Sequence, residues 1–291
     1  MLRMKFEDDM LQDKPAVSTN SLKQLEKIIR PLGRLAVLLS GGVDSGLLAA
    51  AAVEALGAGN VLALTFCSPL TPEDDPEAAR SVAARLGLRH LLLPFDALSL
   101  PEVAENRPER CYACKREVIR LAQAAAGAEG FPILAEGSNA DDLGDDRPGW
   151  QAVREAGVLS PLVEAGFTKA QVRSLARELG LGVWERPSSP CLATRFPTGH
   201  HLSEAEIALI GGAEVALRGL GLKVLRLRWQ GGGRVRLEVG PGELAAARSL
   251  LPALTSRLLN LGLRLSLPPL PYGQKKAPTS AFEAGAYGWH S

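Results

Sequence analysis

The sequence predicts an α/β protein, one larger domain built on a parallel sheet followed by a smaller α+β module. Three observations carry this. Short apolar runs alternate with helix-forming stretches from Leu35 to Leu179, the pattern of strands covered on both faces and joined by right-handed crossovers. The first run breaks into Ser40, Gly41, Gly42, Val43, Asp44 and Ser45 before an alanine-rich segment, a strand, loop and helix suited to an oxyanion. After Arg195 the register changes to two alternating segments around a glycine turn, which reads as an antiparallel pair.

In chain order, residues 1–18 mix both charges and read as a loose tail. Thr19 or Asn20 is placed to cap a helix over SLKQLEKII, closed by Pro31. Leu35 to Leu39 is the first strand, Gly46 to Leu56 a helix, and Val61 to Phe66 the second strand. Pro72 to Leu86 is a helix with Gly87 as its stop, and Arg89 to Leu93 the third strand. The proline- and acid-rich stretch Asp96 to Glu109 reads as irregular. Cys111 to Ala126 is helical, Pro132 to Glu136 the fourth strand, Gly137 to Gly149 a loop, and Thr168 to Leu179 a capped helix. The larger domain thus spans 19–198. The module over 199–268 opens with a helix from Glu204, capped by Ser203 with Glu206 three residues on. It continues with strands Lys223 to Trp229 and Arg234 to Val239, a helix Glu243 to Leu259 and a strand Leu263 to Leu267. Residues 269–291 read as a flexible tail.

Composition removes several classes of function. The chain has 291 residues, 46% hydrophobic, with a formal charge of +1. That balance argues against a nucleic-acid wrapper or a membrane-surface protein. No apolar run is long enough to cross a bilayer, and the acidic start lacks a secretory core, so a cytoplasmic location is expected. Four cysteines in so long a chain do not make a disulfide framework. In a reducing compartment they point to metal ligation or reactivity.

The loop Ser40 to Ser45 carries the first chemistry. Gly41 and Gly42 let the backbone approach a ligand closely, Ser40 adds a hydroxyl, and the N–H groups opening the helix add unpaired donors. No Lys follows the second glycine, so the loop is not the one that grips a terminal γ-phosphate. Asp44 at the helix entrance would repel bare phosphate unless a divalent cation stands between them. SGGVDS resembles the PP-loop of ATP pyrophosphatases, which split ATP between its α and β phosphates. The resemblance implies that Ser40, Gly41, Gly42, Asp44 and Ser45 hold ATP and its pyrophosphate with Mg²⁺.

Three further groups complete the candidate set. The segment EGSNADDLGDDRPG offers Asp141 as a carboxylate for Mg²⁺ and Arg147 as a guanidinium for phosphate or carboxylate. Cys111 and Cys114 open a helix three residues apart, and Cys191 lies between prolines and small residues in RPSSPCLATR. Three thiolates can hold a 4Fe–4S cluster with one iron left open, or, with His200 or His201, a zinc ion; unrelated thiols are the plain alternative. Cys67 reads as a small core or pocket-wall residue rather than a ligand. Residues 201–270 hold nine Lys or Arg against five Asp or Glu. There Arg226 and Arg228 on one strand, and Arg234 and Arg236 on the next, each share a face. Such a row is either a solvated face or a grip on an anion.

Taken in order, SGGVDS, RCYACK, EGSNADDLGDDRPG, SPLVEAGFTKAQVRSLARELGL and PCLATRFPTG resemble the LarE family over roughly residues 20 to 240. These are ATP-dependent sulfur transferases that make the thiocarboxylates of the nickel-pincer nucleotide cofactor. The resemblance implies adenylation of a nucleotide-like substrate, a pyridinium carboxylate mononucleotide, and then sulfur insertion. It also implies a homo-oligomer. Cys191 matches the position that some members sacrifice as sulfur donor. Together with Cys111 and Cys114 it resembles the members that carry a 4Fe–4S cluster and turn over. Arg147, Arg195, Arg226 and Arg228 fall where the substrate's phosphate or carboxylate would be held, and Glu214 near an acidic position. The chain departs from the family at the Asp145–Asp146 pair and at its C-terminal end. The rival readings are a tRNA thiolase, an ammonia-using ligase, and an ATP and iron–sulfur sensor without turnover.

Overall fold

The computed structural model describes residues 16–144 and 148–272. Helix α1 (Ala16–Ile29) leads through a 3₁₀ turn into β1 (Leu35–Leu38), which runs directly to α2 (Val43–Leu56). There follow β2 (Val61–Cys67), α3 (Asp74–Arg85), β3 (Arg89–Pro94), the one-turn α4 (Pro101–Ala104), α5 (Arg110–Ala128) and β4 (Ile133–Ala135). The four strands form one parallel sheet in the order β3-β2-β1-β4. β1 is central because Leu35, Ala36 and Val37 have no polar side to show; all three are fully buried.

The two faces of the sheet are covered separately. Leu35, Val37 and Leu39 pack with α2 residues such as Leu47, Leu48 and Ala51, and with Val82 and Leu175. Ala36, Leu62 and Leu64 pack on the other side with Ile119 and Ala122 of α5. The helices α6 (Pro148–Glu155), α7 (Pro161–Glu164) and α8 (Lys169–Glu178) complete this unit. Thr168 caps α8 as its sequence suggests, in a reciprocal capping box with Gln171.

The chain divides between Gly211 and Gly212, within α9 (Glu204–Arg218), rather than at 198/199. The segment from Phe196 to Leu202 is laced onto the rest of the first unit. Asn106 Nδ2 donates to the carbonyls of Phe196 and Pro197 at 3.3 and 2.7 Å, and Leu202 N–H donates to Ala104 O at 2.7 Å. The second unit holds β5 (Leu225–Gly231), β6 (Arg234–Val239), α10 (Leu244–Ser249), α11 (Leu251–Asn260) and β7 (Arg264–Pro271), its sheet ordered β5-β6-β7.

The stretch Asp96 to Glu109, expected to be irregular, holds the short helix α4, and four other boundaries differ from expectation for a physical reason. α1 starts before Thr19 and Asn20, since Ser, Thr and Asn cost a helix only ~0.5 kcal/mol each and do not end it. The helix α2 starts at Val43, so Asp44 and Ser45 sit in its first turn and not in the loop. The single helix expected over Glu243 to Leu259 is broken at Leu250, with Pro252 in the first turn of α11, where a missing N–H costs nothing. β7 runs past Pro268 to Pro271, because it is an edge strand and its prolines need no partner on the open side. No described helix is long and apolar enough to cross a membrane.

Candidate functional site

The phosphate loop is held in shape by its own hydroxyls. Ser45 Oγ donates to Gly42 O at 3.2 Å and accepts from Ser40 N–H at 3.1 Å; the two hydroxyls lie 3.1 Å apart. Gly42 N–H reaches Ser40 Oγ at 3.4 Å. Gly41 has φ +78°, and a Cβ there would lie 2.4 Å from Asp75 O. Glycine is therefore required on both counts.

Around this loop the ends of the strands gather a cavity of about 280 Å³. Its walls include Ser40, Asp44, Lys115, Glu136, Ser138 and Asp142. Asp44 is paired on both oxygens: Oδ1 accepts from Asn139 Nδ2 at 3.0 Å, and Oδ2 meets the Lys169 ammonium. Asp141 Oδ2 in turn accepts the Lys169 N–H at 2.9 Å. Buried Glu136 accepts from Ser138 N–H, Ser138 Oγ and Ser160 Oγ at 3.1, 2.9 and 2.6 Å, which fixes the wall facing the loop. Gly137 lets this wall close in, since a Cβ there would sit 2.7 Å from Ser45 N.

The thiols form the second part of the site. Cys111 and Cys114 open α5, and Cys191 begins the turn Leu192–Arg195. They lie near enough to affect one another's charge. Burial pushes the Cys114 thiol up to about 12, and Cys191 and Cys111 add to it. Cys191 is exposed at the residue level, and desolvation by the atoms packed around it raises its thiol, with Cys111 adding to the shift. Lys115 connects the two parts, following Cys114 in sequence and lining the phosphate-loop cavity.

Among the described residues no group of three or more His, Cys, Asp or Glu side chains is arranged to hold a single metal ion. His200 bonds Glu206 at 2.9 Å and stacks on Phe196, which engages one of the histidines considered for zinc. A cluster is larger than one ion and needs its thiolates farther apart. Cys114 and Cys191 with raised pKa, and Cys111 near enough to act on both, are a donor set that gains from a bound cation. In that chemical sense the residues fit a cluster.

The remaining expected residues are placed as follows. Arg195 is buried, and its Nη1 donates to Pro190 O at 2.9 Å and Thr194 Oγ1 at 3.0 Å, so it braces the Cys191 turn. Arg147 lies outside the described residues. In the second unit Arg226 is buried and stacks on the Tyr272 ring at 3.7 Å. Arg228 and Arg236, opposite one another across β5 and β6, share the Glu238 carboxylate at 2.8 and 3.1 Å. Glu214 accepts the Leu227 N–H at 2.8 Å and pins β5. Cys67 closes β2 and is half-buried.

Sequence reasoning missed Lys169, Arg186 and Asp75. Lys169 leaves a signal, being a cation at the first position of a helix, where the dipole opposes it. Arg186 and Asp75 leave none, because their partners are distant in sequence.

Residues 20–106 match the family model described as NAD synthase. The chain is 36% identical over 201 residues to a pyridinium-3,5-bisthiocarboxylic acid mononucleotide synthase of Lactiplantibacillus plantarum, covering 69% of this chain and 73% of that protein. It is 36% identical over 225 residues to an uncharacterized protein, slr1717, of Synechocystis, covering 77% of this chain and 83% of that one. A tRNA-specific 2-thiouridylase of Azorhizobium caulinodans is 32% identical over 192 residues, covering 54% and 49% of the two chains.

Proposed function

Because the chain belongs to the LarE family of ATP-dependent sulfur transferases, we propose that it adenylates the carboxylate of a pyridinium mononucleotide and then replaces a carboxylate oxygen with sulfur. The observation that carries this reading is the joining of the two parts of the site. Lys115 lines the phosphate-loop cavity and directly follows Cys114, one of three thiols close enough to perturb one another.

A carboxylate is a poor acceptor for sulfur because oxide is a poor leaving group, and attachment of AMP corrects this. The N–H groups at Gly42 and the start of α2 receive the pyrophosphate that leaves, and Asp44 with Mg²⁺ offsets its charge. Lys169 holds Asp44 in place and supplies a further positive charge at the same edge. Cys111, Cys114 and Cys191 are the residues that would ligate a 4Fe–4S cluster, which when bound supplies an open iron able to hold the incoming sulfide. Arg195 and Thr194 brace the backbone on either side of Cys191. Arg226 and Arg228 are the residues we assign to the substrate's phosphate. The reading puts the protein in the cytoplasm, where four free thiols persist, and makes it a homo-oligomer.

Anaerobic mixing with MgATP, sulfide and a pyridinium carboxylate mononucleotide tests this. Pyrophosphate release together with a thiocarboxylate product is expected. Repeated turnover with iron present supports the cluster, whereas one turnover that leaves Cys191 without its sulfur, read as a fall in protein mass, supports the sacrificial route. Tight ATP binding without pyrophosphate release on any such mononucleotide would leave a sensor. The likeness to a tRNA thiolase over half of this chain favours one second reading, tested by adding tRNA to the same assay.

A further inference from the structure

Arg186 makes a connection that the proposed chemistry does not use. Its Nη1 donates to Gly41 O in the phosphate loop at 2.9 Å. Its Nη2 lies 2.8 Å from Asp75 Oδ1 as an ion pair, although no aligned hydrogen bond reaches that oxygen. Arg186 lies five residues before Cys191, so the thiol-bearing segment is fastened at Arg186 both to the Asp75 carboxylate and to the loop. Arg173 holds the near end, donating to Arg186 O at 2.9 Å. Leu192 N–H donates to Leu70 O at 2.9 Å and holds the far end.

The peptide that Arg186 grips is the one that matters for an anion. Gly41 C=O and Gly42 N–H belong to one planar trans peptide and point in opposite directions. Holding the carbonyl from behind sets the direction of the N–H. An anion drawn onto Gly42 N–H must tilt that peptide against Arg186, and the load passes to Asp75 and along the segment that carries Cys191. Burial of the Asp75 carboxyl outweighs the Arg186 charge and raises its pKa, a desolvation cost that the ion pair only partly offsets.

We propose that Arg186 is a positioning residue that aims the Gly42 N–H at the pyrophosphate group and, through the segment it shares with Cys191, couples occupancy of the phosphate loop to the placement of Cys191. The inference rests on the proposed use of the loop for pyrophosphate and deepens it. Activation of the acceptor and presentation of the sulfur-bearing residue then become linked events. By reciprocity, a change at Cys191 alters affinity for pyrophosphate by the same factor.

The test uses the full chain, reduced and iron-free, under anaerobic conditions. The rate of Cys191 alkylation is measured by mass spectrometry with and without magnesium pyrophosphate, whose binding is followed by calorimetry. A change of about fivefold or more is expected in the unaltered protein, the lower end of ordinary coupling. Arg186→Gln and Asp75→Asn should each cut that response to under about twofold, below the range of ordinary coupling. The Asp75 carboxylate meets the loop only through Arg186, so Asp75→Asn should keep its pyrophosphate affinity within about threefold, less than 1 kcal/mol, and guard against a folding artefact in Arg186→Gln. The inference is overturned if pyrophosphate does not bind, if it binds without altering the Cys191 rate, or if both variants respond as the unaltered protein does. If pyrophosphate alters the rate but ATP is never split, the functional reading fails and the coupling stands.

Discussion

The carboxylate of Asp44 is ion-paired with the ammonium of Lys169, 125 residues later. Asp44 lies in the first turn of α2 and Lys169 opens α8. A positive charge at a helix start is opposed by the dipole and is kept there only by acidic partners. Lys169 has two, Asp44 at its ammonium and Asp141 at its backbone N–H. Two helices and the β4 loop are thus joined at one charged point beside the phosphate loop.

Asp44→Asn should therefore lower ATP-dependent pyrophosphate release by about 10²-fold or more, the usual loss when a charge-stabilising group is removed. Lys169→Met should lower it as well, and the double variant should lose less than the two effects combined, because the pair acts as a unit. Stability should change by only ~1 kcal/mol in each, since the side chains are 19% and 32% exposed. Iron uptake by the thiols should persist in Asp44→Asn. If iron binding is lost with pyrophosphate release, the two parts of the site are not separable.

Gly137→Ala should destabilise the protein by ~1–3 kcal/mol. The added Cβ would meet Ser45 N at 2.7 Å, Ser45 Cα at 2.9 Å and Asp44 C at 3.0 Å. All three are backbone atoms at the start of α2 and cannot swing aside. Gly59→Ala is the control, as nothing lies within 4 Å of a Cβ there, and its melting temperature should stay near that of the parent. Equal melting temperatures for the two variants would refute the contact.

The same contrast explains how much is legible in the sequence. β1, α2 and the loop between them can be read because a buried strand, two glycines and an alanine-rich helix each leave a local pattern. The capping box at Thr168 and Gln171 is local too and equally plain. Residues whose partners lie far along the chain leave no such pattern. Gly137 reads only as a loop glycine until Ser45 is placed against it. Arg195 reads in the sequence as a grip on the substrate's phosphate or carboxylate, and nothing local signals its carbonyl partner at Pro190. The break at Leu250 is signalled by Pro252, but an apolar periodicity that continues through a proline hides it.

Asn106 has positive φ, +49°, and is fully buried. Its amide donates to the carbonyls of Phe196 and Pro197, and its own backbone carbonyl accepts Gly199 N–H at 3.0 Å. Asn tolerates this backbone conformation better than most residues. Asn106→Ala combines an unfavourable φ with orphaned buried carbonyls and should cost ~2–4 kcal/mol in denaturant titration. Asn106→Gly relieves the φ and should cost less. If Gly is no better than Ala, backbone strain plays no part and the lost hydrogen bonds account for the whole effect.

The thiols make the protein's stability depend on alkaline pH in the absence of iron. Burial, reinforced by Cys191 and Cys111, raises Cys114 to about 12 from an ordinary thiol value of 9.0. The folded state thus holds this proton more tightly than the unfolded one. Its contribution to stability is complete below about pH 9, where both states are protonated. It is lost as the pH rises from about 9 toward about 12, where the unfolded chain ionises first. Urea midpoints of the iron-free protein should fall across that window, and Cys114→Ala should flatten the slope. Loading iron must expel the thiol protons, so reconstitution should release protons and proceed faster at about pH 9 than at about pH 7. A midpoint that does not change between about pH 8 and about pH 11, with the same slope in Cys114→Ala, would show that Cys114 is not shielded as the fold places it.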